Sequence, residues 1–165
     1  MNTLQLWLAK PIARDMLSHA ADSYPAESCG VLLASSAEGA NEDGVVRPSR
    51  YVRLRNVACE THRAFVADPR EWVELVAGLA ARQERLVAVV HSHPNASAEL
   101  SETDAATMWR TVPFHVVVSV RSDGIPAAWR AWRWDDQLGA FREVCVAITG
   151  ESGWTKSAQA RLRPS

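Results

Sequence analysis

Apolar and polar positions along the chain recur with two different periods, and the changes of period mark the elements. Residues 3–9 (TLQLWLA) have the run of a short strand. Pro11 then suits the first turn of a helix reaching about residue 22, with Ile12, Met16 and Ala20 on one face at four-residue spacing. Tyr24-Pro25 ends that helix, because the residue before a proline is driven out of the helical region. SCGVLLASS (28–36) predicts an apolar strand, and AEGANEDG (37–44) a polar loop. Residues 45–58 alternate as a strand, with Pro48 marking an edge or a break. Asp68-Pro69 is a helix start, with Asp68 as N-cap and Pro69 in the first turn. Trp72, Leu75, Val76 and Leu79 supply the apolar face of that helix, which closes near residue 85.

LVAVV (86–90) is a continuous apolar run, as expected of a central strand buried on both faces. Ser101 opens a helix to about Arg110. FHVVVSV (114–120), PAAWRAWRW (126–134) and FREVCVAI (141–148) follow, separated by turns at Ser122-Asp123-Gly124 and Asp135 to Ala140. These three strands are expected to form an antiparallel meander. Strands and helices interleave without repeat or linker, so the class is α/β (α+β), a mixed sheet flanked by helices. The domain is expected to span residues 1–148, leaving 149–165 as an aperiodic, flexible tail.

Composition narrows the partners. Apolar residues make up 47% of the 165, enough for a sizeable core, and the net charge of −1 gives no reason to expect nucleic acid or a membrane surface. No apolar run approaches the roughly 20 residues that span a bilayer. The N-terminal MNTLQLWLAKPIARDML has no basic region followed by a continuous apolar one, so no signal peptide is expected. Three cysteines (Cys29, Cys59, Cys145), widely spaced, predict reduced thiols and a cytoplasmic protein. Oligomeric state leaves no signal in the sequence.

The chemistry concentrates in VVHSHPNASAELSETDAA, residues 89–106. Strand residues two apart share a face, so His91 and His93 project into one space at the end of the apolar strand. Pro94 turns the chain, and an Asp in the first turn of the helix opened by Ser101 can swing back toward both imidazoles. His91, His93 and Asp104 thus make a three-ligand set with a fourth tetrahedral position open, the pattern of catalytic zinc. A plainer reading stands beside it: Ser101-x-x-Asp104 is also a capping signature, and a His pair at a strand end can bond to water. A hydrolytic zinc site needs a base, and the acidic candidate is Glu27 in YPAESCGVLL. An acid at the mouth of a strand is otherwise an ordinary residue.

Glu27, the HSHP run, and the seven residues between His93 and Ser101-x-x-Asp104 resemble the JAMM (MPN-plus) metallopeptidases without a gap in the motif. RNVACETHRAFVADPREW resembles the Asn-led strand and Phe-x-x-Asp-Pro helix start of the prokaryotic members, and VVVSVRSDGIPAAWRAWRW their C-terminal hairpin, so the likeness covers about residues 5–135. It implies an MPN/JAMM-like sheet with cytidine-deaminase-like layering and one zinc ion on His91, His93 and Asp104. It implies Glu27 as the group that takes the proton of the attacking water and passes it to the leaving amine. Ser101 would stabilise the oxyanion, in addition to any capping. The implied substrate is the C-terminus of a ubiquitin-like β-grasp protein, in some members a sulfur carrier, cut at a peptide or isopeptide bond. Two alternatives stay open: a non-catalytic MPN scaffold that binds protein partners, and a zinc hydrolase of a small amide.

Other residues are expected to be structural. His19 and His62 fall outside the motif, His115 fits a satisfied sheet histidine, and Cys29 a small buried thiol beside the site. Arg130, Trp132 and Trp134 share one strand face, and together with Trp129 they fit sheet-to-helix packing or an exposed partner surface.

Overall fold

A computed structural model of the chain describes residues 4–37, 44–150 and 153–155. Its centre is a six-stranded mixed sheet in the order β4-β2-β5-β6-β7-β8. These are β2 (Cys29–Ser35), β4 (Arg50–Leu54), β5 (Glu84–Pro94), β6 (Phe114–Val120), β7 (Pro126–Asp135) and β8 (Ala140–Val144). All neighbours are antiparallel except β5 and β6, which run parallel with His91 beside Val117 and His93 beside Ser119. The apolar density of β5 and β6 follows from this position, since Val87, Ala88, Val90, Val116, Val117 and Val118 are all buried. The expected meander is present as β6-β7-β8.

A smaller sheet, in the order β10-β9-β1-β3, holds β1 (Gln5–Ala9), β3 (Val45–Val46), β9 (Val146–Gly150) and β10 (Gly153–Thr155). Two sequence expectations change here. The strand expected over 45–58 divides at Pro48 into β3, parallel to β1, and β4, which borders the large sheet. The strand expected over 141–148 divides at Cys145, and β9 leaves the meander to run parallel to β1. Val146 and Ile148 thereby pack against the core under α1 (Lys10–Ser23) instead of lying at a sheet edge. Beyond residue 148, β9 runs to Gly150 and β10 pairs with it in this sheet; residues 151–152 and 156–165 of the expected tail, and 38–43 of the expected loop, lie outside the described residues.

Helix α1 covers one face of the large sheet, with Ala13, Met16 and Ala20 buried against Leu6, Leu8, Leu32, Val90 and Phe114. Ile12, expected on that stripe, is partly buried at its margin. The other face carries α2 (Pro69–Leu79) and the short α3 (Glu102–Thr107). Asp68 caps α2 by accepting from Arg70 N–H at 2.8 Å, a bond worth about 1 kcal/mol. Leu75, Trp72 and Leu79 of α2 then pack on Cys29, Val31 and Leu33, whereas Val76, expected on that face, is exposed. No helix among the described residues is long and apolar enough to cross a membrane. The layered α/β class expected from the sequence is the one observed.

Candidate metal centre

The two histidines arrive inside a strand, not after it. β5 extends through Pro94, four residues beyond the apolar run, because β6 keeps pairing with it as far as Pro94 opposite Val120. A two-residue step then sets both imidazoles on the α2/α3 face, His91 wholly buried and His93 nearly so. Phe65 stacks on the His91 ring with centroids 4.6 Å apart and closes one side. Asn95, at φ 59° just after the strand, turns the chain toward α3.

Ser101 and Asp104 form a complete capping box at the start of α3. Ser101 Oγ accepts from Asp104 N–H at 3.0 Å, and Asp104 Oδ2 accepts from Ser101 N–H at 2.8 Å. The Ser101 hydroxyl also donates to Asp104 Oδ2 at 2.7 Å. The plain and the functional readings therefore describe one geometry: the cap that starts the helix also aims the carboxylate at the histidines. Asp104 Oδ1 lies 3.2 Å from His91 Nε2, and Oδ2 lies 3.0 Å from His93 Nε2. One donor atom from each of His91, His93 and Asp104 falls within 4.8 Å of the other two.

The donor set fits a metal. His93 Nδ1 faces the Ser97 carbonyl at 2.9 Å, an oxygen that only accepts, so Nδ1 carries a proton and Nε2, which meets Asp104 here, is the atom that would give up its proton to a metal. Burial works to raise the Asp104 carboxyl, but hydrogen bonds from His91, His93 and Ser101 outweigh it and hold the group well below the ordinary range. Burial keeps the His91 imidazole below its usual value and hence neutral. Two imidazoles and an ionised carboxylate on convergent atoms suit a borderline dication such as zinc.

Glu27 reaches the same face from the neighbouring strand. β2 pairs antiparallel with β5, with Cys29 opposite His91. Upstream, Ser28 N–H donates to Ser92 Oγ at 2.8 Å, and Ser92 N–H donates to the Ser28 carbonyl at 3.2 Å. This continuation puts Glu27 across from His93, on the same side of the sheet. Burial pushes the Glu27 carboxyl up to about 7, with His93 opposing and Asp104 adding to the rise. A carboxyl poised near neutrality can take a proton and return it.

Two groups the sequence did not single out support Glu27 and the strand pair. Asn56 spends all four of its hydrogen-bonding positions on backbone: Nδ2 donates to the Glu27 and Ala64 carbonyls, and Oδ1 accepts from Ala58 and Val66 N–H, each at 3.0 Å. Ser92, on the opposite face from the two histidines, is the link to Ser28 just described. Asn56 lies at the end of the alternating 45–58 run, beyond the observed end of β4 at Leu54, where a polar residue carries no signal of its own. Cys29 is buried, donates to the Leu54 carbonyl at 3.5 Å, and has its thiol pushed up to about 12 by burial, so it is inert packing. His115 is buried and bonded through Nε2 to the Trp109 carbonyl at 2.9 Å, outside the ligand set.

Residues 9–135, more than half of the chain, match the model of a family described as prokaryotic homologs of the JAB domain. The chain belongs to that family. The JAMM/MPN family expected from the sequence is thereby shown. A desampylase of Haloferax volcanii is 32% identical over 153 residues, covering 90% of this chain and 99% of that protein. A CysO-cysteine peptidase of Mycobacterium tuberculosis is 29% identical over 82% of this chain and 81% of its own length. The tail tip assembly protein K of Escherichia phage N15 is 34% identical over 62% of this chain, and the chain spans 36% of that protein's length. In fold, the chain resembles a solution structure from Desulfitobacterium hafniense with a TM-score of 0.71, at 22% identity over 88% of this chain and 94% of that one. The relatives named as a desampylase and a CysO-cysteine peptidase place this JAB family protein among the hydrolases, and its own fold brings His91, His93 and Asp104 together as a candidate metal site.

Proposed function

We propose that this JAB family protein is a zinc-dependent peptidase or isopeptidase that cuts at the C-terminus of a ubiquitin-like, β-grasp protein of the sulfur-carrier type. The observation that carries the proposal is the convergence of His91, His93 and Asp104 on one point, with Glu27 on the same side of the sheet, two residues before β2. The two relatives named as a desampylase and a CysO-cysteine peptidase support the substrate class.

His91, His93 and Asp104 would hold the ion, which when bound would supply Lewis acidity that acidifies water and polarises a carbonyl. Glu27 takes the proton from the attacking water and delivers it to the departing amine, a task suited to a carboxyl raised by burial. Ser101 turns its hydroxyl from Asp104 toward the oxygen that gains charge at the scissile carbonyl, a donor worth roughly 3 kcal/mol in comparable sites. Its backbone N–H stays on Asp104, so the helix cap survives that rotation.

The test is to incubate the zinc-loaded protein with a β-grasp protein extended beyond a terminal Gly-Gly, following the product by mass. Cleavage after Gly-Gly that a chelator stops and zinc restores is expected. A protein that retains no zinc and hydrolyses nothing would be a scaffold; one that cleaves small acyl amides and spares the carrier would have a different substrate.

A further inference from the structure

Beside α3, on the face that carries the histidines, lies a cleft of about 450 Å³ lined with aromatic side chains. Trp132 and Trp134 of β7 and Phe141 of β8 form its wall, and Leu100 and Ala105 its near edge. Leu100 precedes Ser101 and Ala105 follows Asp104, so the near edge of the cleft is built by the same short segment that carries those two site residues. The wall is rigid: Trp134 and Phe141 meet edge to face at 5.2 Å, and Phe141 meets buried His115 at 5.5 Å. Each indole N–H is already engaged, Trp132 to the Ala98 carbonyl at 3.3 Å and Trp134 to Asp136 at 2.9 Å. Apart from the Trp134 face that Arg110 covers, their ring surfaces are left as apolar contact area.

Charge at the rim is one-sided. Glu99 is paired with Arg130. Arg110 stacks its guanidinium 4.0 Å over the Trp134 ring, and among the described residues it has no ion pair or hydrogen bond. Stacking fixes the plane of the guanidinium and leaves its in-plane N–H fork open for a carboxylate.

We infer that this cleft is the subsite for the segment that leaves, a short C-terminal peptide with a bulky apolar side chain and a free terminal carboxylate. The side chain lies against Trp134 and Phe141, and the carboxylate sits on Arg110. In the uncut substrate the only C-terminal α-carboxylate lies on the leaving side of the scissile bond, so the open cation selects that side. The inference rests on the peptidase reading of the metal centre. It also gives the tryptophans of β7 a role that packing alone does not require.

Two measurements test it. A carrier ending in Gly-Gly-Ser-Phe is compared as free acid and as C-terminal amide; the acid is expected to be cut about tenfold more efficiently, the effect of one charge-assisted bond. Arg110→Gln should erase that difference and Arg110→Lys should restore part of it. Separately, tryptophan emission is titrated with acetyl-Ser-Phe as acid and as amide, with saturation expected for the acid at lower concentration. Equal cutting of acid and amide by the unaltered protein overturns the inference. No change in emission from either dipeptide at millimolar concentration also overturns it, whether or not the protein cleaves anything. If the acid binds through Arg110 and no carrier is cut, the subsite stands and the peptidase reading falls.

Discussion

Asn56→Ala separates the positioning of the base from the holding of the metal. The side chain makes four bonds of 3.0 Å to backbone groups, tying Glu27 to the 58–66 segment that packs Phe65 over His91. At about 1 kcal/mol net for each bond, the gross loss is about 4 kcal/mol; Asn56 is only half-buried, and water replacing some partners reduces it to about 2–3 kcal/mol. Glu27 keeps one main-chain tie, its N–H to the Thr61 carbonyl at 2.6 Å, so its carboxylate drifts rather than leaves. A displacement of about 1 Å at a reacting group costs roughly a hundredfold, and kcat should fall between tenfold and a hundredfold. Metal content should stay at one ion per chain, because no ligand bonds to Asn56. Urea unfolding, zinc titration and single-turnover cleavage measure the three quantities on one preparation. A variant with reduced stability and unchanged kcat would refute the positioning of Glu27 by Asn56. Loss of the ion would refute the independence of base and ligands.

Further outcomes follow from the same geometry. Glu27→Gln should retain the ion and lose cleavage by several orders of magnitude, as read by zinc content and kcat, because only the proton carrier is removed. His93→Ala should lose ion and activity together, since the Ser97-oriented Nε2 is gone. His115 is held down to about 4 by burial, so above pH 6.5 its neutral form matches the unfolded state; between 6.5 and 4 only the unfolded chain takes up the proton, removing about 3 kcal/mol of stability. His115→Gln should flatten urea midpoints across that window relative to the parent protein. Gly30→Ala should destabilise by more than about 2 kcal/mol in the same assay, because a Cβ there would meet Tyr51 Cζ at 2.5 Å and the Val52 carbonyl at 2.6 Å.

The site was more legible than the sheets around it. Parity along a strand is enough to put His91 and His93 on one face, and a capping signature is enough to turn Asp104 back toward them. Those signals are local, spanning fourteen residues from His91 to Asp104. The departure of β9 to a second sheet was not legible, because FREVCVAI is a continuous strand-like run and its partner β1 lies about 140 residues earlier. The length of β5 was hidden for a related reason. Pro94 looks like a terminus, yet β6 still pairs beside it. Asn56 could be quoted as part of a resemblance, but its bond to Glu27, 29 residues away, is non-local and leaves no periodic trace.

The three ligands belong to regions of unequal permanence. His91 and His93 lie in a strand hydrogen-bonded on each side by β2 and β6, and their amides should exchange with deuterium only as slowly as the core itself opens. Asp104 belongs to a helix of six residues secured by its cap and by burial of Met108, a unit that frays at far lower free energy. Fraying removes the carboxylate and leaves a two-imidazole half-site, from which an ion escapes readily. The residence time of an ion held there would therefore be set by the local unwinding of α3, not by the global stability of the protein.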